Sequence, residues 1–189
     1  MDHSLLVDSL QRRMRTMHSL YYQAVDTMEL HHVNHFEREG VLPIAFSLFH
    51  YTNMQDVCFM AITGVAPVWN EEWQSRVQMA INDHGKHRTV AEMIHQRIGD
   101  FDAFKEYQRT VFDRTEAYLE TIDPGDLTRV LVKRPFPPQV ASTYSARCAG
   151  DDGITVLDGF ECWLYQHGLR HMGEIELARG LVGLGGMTS

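Results

Sequence analysis

The sequence predicts an all-α protein, built as an antiparallel bundle of four long helices. Four long segments carry apolar residues at steps of three and four, and the connections between them are modest in length. The composition, 44% hydrophobic and 22% charged, is that of an ordinary globular protein. A length of 189 residues favours a single domain, residues 1–189.

The first two predicted helices are recognised by their apolar stripes. The first covers residues 4–28, and its stripe consists of Leu6, Leu10, Met14, Met17, Tyr21, Ala24 and Met28. The second follows Pro43, which suits a first helical turn, and ends at Gly64 and Pro67. Its stripe consists of Phe46, His50, Met54, Val57 and Ala61.

The third and fourth predicted helices are delimited by capping and turn residues. Thr89 and Glu92 form a capping-box pattern at the start of the third, which covers residues 89–122. The sequence Asp-Pro-Gly at residues 123–125 ends it. The fourth covers residues 154–184, and its end is marked by the glycines Gly183, Gly185 and Gly186.

Two connections have features of their own. Residues 68–78 predict a short helix or ordered loop, in which Trp69 and Trp73 are packing anchors or, alternatively, a pocket lining. The insertion at residues 129–152 permits a short β-hairpin around Pro135 to Pro138. Its cations indicate either a solvated loop or a lid that meets an anionic substrate: Arg129, Lys133, Arg134 and Arg147.

Three histidines are predicted to hold a metal ion. His167 and His171 share the inward stripe of the fourth helix, and residues four apart have Cβ atoms about 6 Å apart. Interior histidines need partners for their ring nitrogens, which favours metal binding over plain core packing. His50 lies on the stripe of the second helix and can meet them in a bundle. Three imidazoles suit one divalent ion (Zn, Ni or Fe) and leave a position for water or substrate.

Other histidines offer weaker arrangements. His31, His32 and His35 lie in a polar segment and are interpreted as surface or site-rim residues at the frayed end of the first helix. The pairs Glu29/His32 and Glu92/His95 have the Glu-x-x-His spacing of di-iron carboxylate bundles. That interpretation fails, because residues 43–63 contain no glutamate and only one aspartate.

Cysteine usage, targeting signals and charge exclude several classes of protein. Three distant cysteines fit a reducing, cytoplasmic environment. Cys58 is expected in the core. Cys162 is expected on a different face of its helix from His167, and this arrangement disfavours a Cys–His nucleophile pair. The first residues form no secretory signal, and no apolar stretch reaches the roughly 20 residues that cross a bilayer. A net charge of −8 argues against nucleic-acid binding.

The segments SLFHYTNMQD and HGLRHMGEI, in this order, resemble the DinB-like superfamily, also called the YfiT-like metal-dependent bundles. That family typically carries His-x-x-x-His-x-Gly-Gln-Ile on its last helix and a histidine after an apolar run on its second. Gly173 and Ile175 match this pattern, while Glu174 stands where glutamine is common. The resemblance implies up-down-down-up connectivity, a three-histidine metal centre at His50, His167 and His171, and frequent homodimers.

Two functional hypotheses follow. Characterised members of the resembled family include mycothiol- or bacillithiol-dependent transferases and some proposed hydrolases. The first hypothesis is therefore a thiol S-transferase. In such an enzyme the metal lowers the pKa of a small thiol, which then attacks an electrophilic substrate. A hydrolase would activate water in the same way. Glu174 is either a carboxylate that orients a ligand or a surface residue, and Tyr51 and Tyr165 are possible donors at the rim. The second hypothesis is a non-catalytic metal-binding or stress-response module, which the three-ligand set disfavours because it leaves the site open.

Overall fold

The computed structural model describes residues 4–187, which are mostly helical and include one small antiparallel sheet. This composition is consistent with the predicted all-α class. In chain order the elements are α1 (Ser4–Asp26), α2 (Leu30–Val33), α3 (Ile44–Thr63), α4 (Glu71–Val77), α5 (Val90–Met93), α6 (Phe101–Thr121), a 3₁₀ turn (Pro124–Thr128), β1 (Val130–Lys133), α7 (Pro138–Ala141), α8 (Tyr144–Cys148), β2 (Gly153–Thr155), α9 (Val156–Asp158), a π-helical segment (Gly159–Tyr165) and α10 (Gln166–Leu181). In residues 4–187, no helix has both the length and the apolar character that crossing a membrane requires.

The core lies between the four long helices α1, α3, α6 and α10. Helix α3 packs against α10 and α6, while α1 packs against α6 and α10. The predicted stripe of α1 is buried from Leu10 to Ala24, but Leu6 is 38% exposed. Aromatic side chains fill most of the interior: Tyr21, Phe49, Tyr51, Phe59, Phe104, Tyr107, Phe112 and Phe160.

Helix α1 ends two residues earlier than predicted, because a new helix is capped immediately after it. The Glu29 side chain accepts from the His32 backbone, and the Glu29 N–H donates to His32 Nδ1 at 3.1 Å. His31 and His32 therefore belong to the separate helix α2, and their interpretation as the frayed end of the first helix is wrong. His31 and His35 are exposed to solvent.

The predicted third helix is broken between α5 and α6. Thr89 and Glu92 do form the predicted capping box, but α5 has only one turn. The chain then runs beside residues 77–80, where Gly99 N–H donates to Gln78 O at 3.1 Å. A Cβ at Gly99 would lie 2.7 Å from that oxygen, so glycine allows the close approach. Asp100 then caps α6 through the Ala103 N–H at 2.9 Å.

The predicted hairpin around Pro135 to Pro138 is wrong, although the insertion does contribute a strand. Strand β1 pairs with β2, so a long connection that includes α7 and α8 separates the two strands. Pro138 begins α7, since its fixed φ suits a first helical turn. The residues assigned to the start of the fourth helix, Ile154 and Thr155, lie in β2 instead.

Asp56 anchors the connection between α3 and α4 from a fully buried position. Its carboxylate accepts from the backbone N–H groups of Val68 at 3.0 Å and Trp69 at 2.8 Å. Arg114 donates to the same carboxylate at 2.5 Å, and the Tyr107 hydroxyl does so at 3.3 Å. The connection is thereby fixed on the core, where Trp69 packs on Phe49 and Tyr107, as expected for an anchor.

Candidate metal centre

The structure brings the three predicted histidines together where α3 packs against α10. His50, His167 and His171 each offer a ring nitrogen, and these nitrogens lie within 4.8 Å of one another. The Nε2 atoms of His167 and His171 are 2.9 Å apart. This is the one group of three or more potential metal ligands among residues 4–187.

Gly168 permits this contact between helices. A Cβ at this position would lie 2.3 Å from Met17 Sδ and 2.6 Å from the ring of Tyr51, so any side chain would force α10 away from α1 and α3. The Tyr21 hydroxyl donates to the Gly168 carbonyl at 2.8 Å and holds α10 in place. By contrast, Gly173 has open space where a Cβ would lie, so packing does not require glycine there.

Each histidine has an acceptor for its outer nitrogen. His50 Nδ1 bonds to the carbonyl oxygen of His84, and His171 Nδ1 bonds to Glu174 Oε2 at 2.7 Å. His167 forms a hydrogen bond with the backbone of Trp163. Such outer bonds fix the ring orientation and leave the inner nitrogen with its lone pair, as in most protein metal sites. The role of His84 was absent from the sequence prediction, because a backbone carbonyl gives no sequence signal.

Burial keeps two of the three histidines in the neutral form that can bind a metal ion. It lowers the pKa of His50 to about 4 and, together with the charges of the neighbouring histidines and Arg170, that of His167 to about 3. The hydrogen bond from His171 lowers the pKa of Glu174, so this carboxylate is ionised at neutral pH. His50 and His167 are therefore neutral imidazoles at neutral pH, the form in which histidine binds a divalent ion such as Zn²⁺.

The metal-free protein is expected to lose stability as the pH falls from about 6.5 towards about 4. In this window the unfolded chain protonates both histidines, whereas the folded protein protonates them only near pH 4 and 3. The free energy of unfolding therefore decreases as the pH is lowered. The decrease is at most about 1.4 kcal/mol per pH unit for each histidine. Urea denaturation across this window measures the slope. A His167→Gln variant should give a shallower slope, and equal slopes would contradict this account.

Glu174 holds His171 in position by a second set of contacts. Its Oε2 also accepts from the Ser47 hydroxyl at 3.0 Å, so one carboxylate links α3 to the last helix. This arrangement supports the interpretation of Glu174 as a residue that orients a ligand. The carboxylate is itself about half buried.

Glu174→Ala is expected to weaken metal binding by about 10–100-fold, the usual effect of losing the partner of a ligating histidine. Glu174→Gln should cost less, because its carbonyl can still accept from His171 Nδ1. Competition with a chromogenic chelator gives the affinities. Glu39→Ala is the matched control, since this exposed carboxylate forms no ion pair or hydrogen bond with residues 4–187. An unchanged affinity in Glu174→Ala would rule out the positioning role.

A cavity of about 450 Å³ opens beside His50 and His167. The other lining residues are Met54, Val57, Cys58, Ala61, Lys86, Gln139, Val140, Thr143, Tyr144, Ser145, Cys162, Trp163, Gln166 and Arg170. The predicted stripe of the second helix therefore faces this cavity from His50 to Ala61, while a different face of α3 packs in the core. Cys58 lines the cavity as well, and burial raises the pKa of its thiol to about 12.

The π-helical segment places Cys162 and His167 on the same cavity. In a π-helix residues five apart are aligned, because each residue bonds to the fifth one along. The prediction that the two residues lie on different faces, which assumed an α-helix, is therefore wrong. Burial raises the pKa of Cys162 to about 12, so its thiol is protonated at neutral pH and is a poor nucleophile.

The insertion forms one wall of the cavity, but its cations do not line it. Residues 139–145 supply the wall from α7 and α8. Arg129 pairs with Asp126 at 2.7 Å, and Arg134 donates to the carbonyl of Gly150 at 3.0 Å. The predicted rim donors are wrong as well, since Tyr51 is fully buried and donates to Gln55, and Tyr165 lies outside the lining. Tyr144 from α8 and Trp163 from the π-helical segment also line the cavity.

Comparison with known proteins supports the fold alone. No model of a known protein family matches the chain, and no curated protein is similar to it in sequence. The fold is similar to that in a crystal structure of a conserved protein from Enterococcus faecalis, with a TM-score of 0.73 over 93% of this chain and 95% of that one. The two sequences are 15% identical, a level at which a shared fold carries no information on activity.

Proposed function

We propose that this protein is a metal-dependent enzyme of the DinB-like type, with a four-helix bundle that holds one divalent ion on His50, His167 and His171. The observation that carries the proposal is the direction of the three inner nitrogens. Their outer partners each accept a hydrogen bond, so three lone pairs converge within 4.8 Å. Converging lone pairs repel unless a cation lies between them, and three neutral imidazoles are a common ligand set for a catalytic ion.

The cavity favours an enzyme over a protein in which the ion only stabilises the core. A structural site is closed by a fourth protein ligand, whereas a catalytic site keeps a position open. Here two ligands, His50 and His167, line a space large enough for a small molecule. A divalent ion in this position would lower the pKa of a small thiol or of water.

The reaction we propose is thiol S-transfer. The thiol loses its proton to solvent, its sulfur forms a C–S bond with an electrophilic carbon, and the leaving group departs with the electron pair of the broken bond. The side chains of this protein orient the reactants: Glu174 and the His84 carbonyl fix the imidazoles, and the wall from α7 and α8 excludes water from the substrate. Hydrolysis by activated water is the variant reaction at the same site.

Thioether formation from a small thiol and a halide electrophile tests this proposal. Protein loaded with zinc, nickel or iron should accelerate the reaction, and chelator-treated protein and His171→Ala should not. Equal rates with loaded and chelated protein would refute the enzyme. A large loss of stability on metal removal, without any activity, would instead indicate a metal that stabilises the core.

A further inference from the structure

The cavity beside the histidines differs in charge from the rest of the chain. The protein has a formal net charge of −8, yet among residues 4–187 no aspartate or glutamate lines this cavity. Two cations, Lys86 and Arg170, do line it. In an acidic protein, a concave surface with cations and no carboxylate attracts anions selectively.

Neither cation has an ion pair or a side-chain hydrogen bond within residues 4–187. All 17 lysines and arginines lie in residues 4–187. Within these residues, 13 of them form an ion pair or a side-chain hydrogen bond. The other four are Lys86, Lys133, Arg147 and Arg170. Two of these four line one cavity. A cation without a protein partner is available to a ligand.

Each of the two cations is close in sequence to a residue of the histidine cluster or to one that holds it. Lys86 follows His84 by two residues, and the His84 carbonyl holds His50. Arg170 directly precedes His171 on α10 and is close enough to help lower the pKa of His167. An anionic group bound between them would lie next to the proposed metal position.

The rest of the cavity is suited to an apolar group. Met54, Val57 and Ala61 form the α3 wall, and Trp163 and Val140 belong to the segments that complete the lining. A volume of about 450 Å³ accommodates a small aromatic or branched aliphatic molecule with room to spare.

We propose that this cavity binds small organic anions, of which carboxylates are the simplest, with the anionic group between Lys86 and Arg170 and the apolar body against α3 and Trp163. These anions would be the substrates of the proposed enzyme, and this part of the inference rests on the proposed function. Binding itself depends on the two cations and the apolar wall. It should therefore persist in metal-free protein.

Calorimetric titration with naphthalene-2-carboxylate and its neutral carboxamide tests the proposal on chelator-treated and zinc-loaded protein. The carboxylate should bind the metal-free protein at least about tenfold more tightly than the carboxamide, as expected for pairing with two cations near a protein surface. The double variant Lys86→Gln/Arg170→Gln should lose that preference. Lys133→Gln/Arg147→Gln is the matched control, because it removes the two other unpaired cations, which do not line the cavity, and it should bind as wild type does.

The outcomes separate this inference from the proposed function. Equal affinities for the two probes, no binding of either, or carboxylate binding retained by the Lys86/Arg170 variant would each overturn the inference. Carboxylate binding that requires zinc and survives that variant would overturn it in favour of direct coordination, and would leave the proposed enzyme standing. Selective binding to metal-free protein, followed by failure of every thiol and hydrolase assay, would support the anion site and refute the enzyme.

Discussion

Replacement of His50 or His171 by alanine is expected to abolish the binding of about one equivalent of a divalent ion. Each variant leaves two imidazoles, which come from one helix in His50→Ala and from two in His171→Ala. The affinity should fall by at least about 100-fold, since even the loss of an outer partner costs up to that much. Elemental mass spectrometry on protein purified without a histidine tag or nickel resin measures the bound metal.

His95→Ala is the matched control for these variants. Its side chain is exposed and forms no hydrogen bond, ion pair or ring contact within residues 4–187, so wild-type metal content is expected. Metal retained in both His50→Ala and His171→Ala would refute a centre shared between α3 and α10. Wild-type protein that takes up no zinc, nickel or iron would refute the metal site altogether.

Replacement of Asp56 by alanine is expected to destabilise the protein by about 3–5 kcal/mol, the usual cost of breaking a buried ion pair. Four donors lose their acceptor: the backbone N–H groups of Val68 and Trp69, the Arg114 guanidinium and the Tyr107 hydroxyl. The Arg114 side chain is only 21% exposed and cannot recover its full hydration. Urea denaturation gives the free energy of unfolding.

Two further variants make this prediction specific. Asp151→Ala removes an exposed carboxylate with no hydrogen bond or ion pair to the described residues and should change stability by less than about 0.5 kcal/mol. The double variant Asp56→Ala/Arg114→Ala should be more stable than the sum of the single losses predicts, because it leaves no unpaired charge. Additive losses, or a cost for Asp56→Ala near that of the control, would show that the buried carboxylate does not anchor the connection.

The sequence predicts the long helices and the histidine cluster because both depend on local spacing. The stripe of α1 and the pair His167/His171 follow from the helical repeat alone. The break between α5 and α6 could not be predicted in this way, because residues 94–100 pair with a distant segment around Gln78. A pairing partner over 15 residues away leaves no periodic pattern.

The functional details that the sequence missed depend on tertiary structure. Lys86 and Arg170 are unremarkable in the sequence, and a lid that meets an anionic substrate was instead one of two alternatives for the basic insertion, beside a solvated loop. The structure shows that Arg129 and Arg134 have partners of their own, whereas these two cations line the cavity unpaired. A basic residue in a sequence indicates an anion-binding site only if its side chain has no ion-pair or hydrogen-bond partner within the folded protein.

The π-helical segment allows the cavity wall to change independently of the three histidines. It contains one residue more than an α-helix of the same length needs, as π-helical segments generally do. Deleting Leu164 or Tyr165 would turn the preceding residues of this segment by about 100° relative to α10. Cys162 and Trp163 would then leave the cavity, while His167 and His171 would stay opposite His50. Insertion or deletion of one residue in this segment would therefore change the cavity lining and leave the three histidines together.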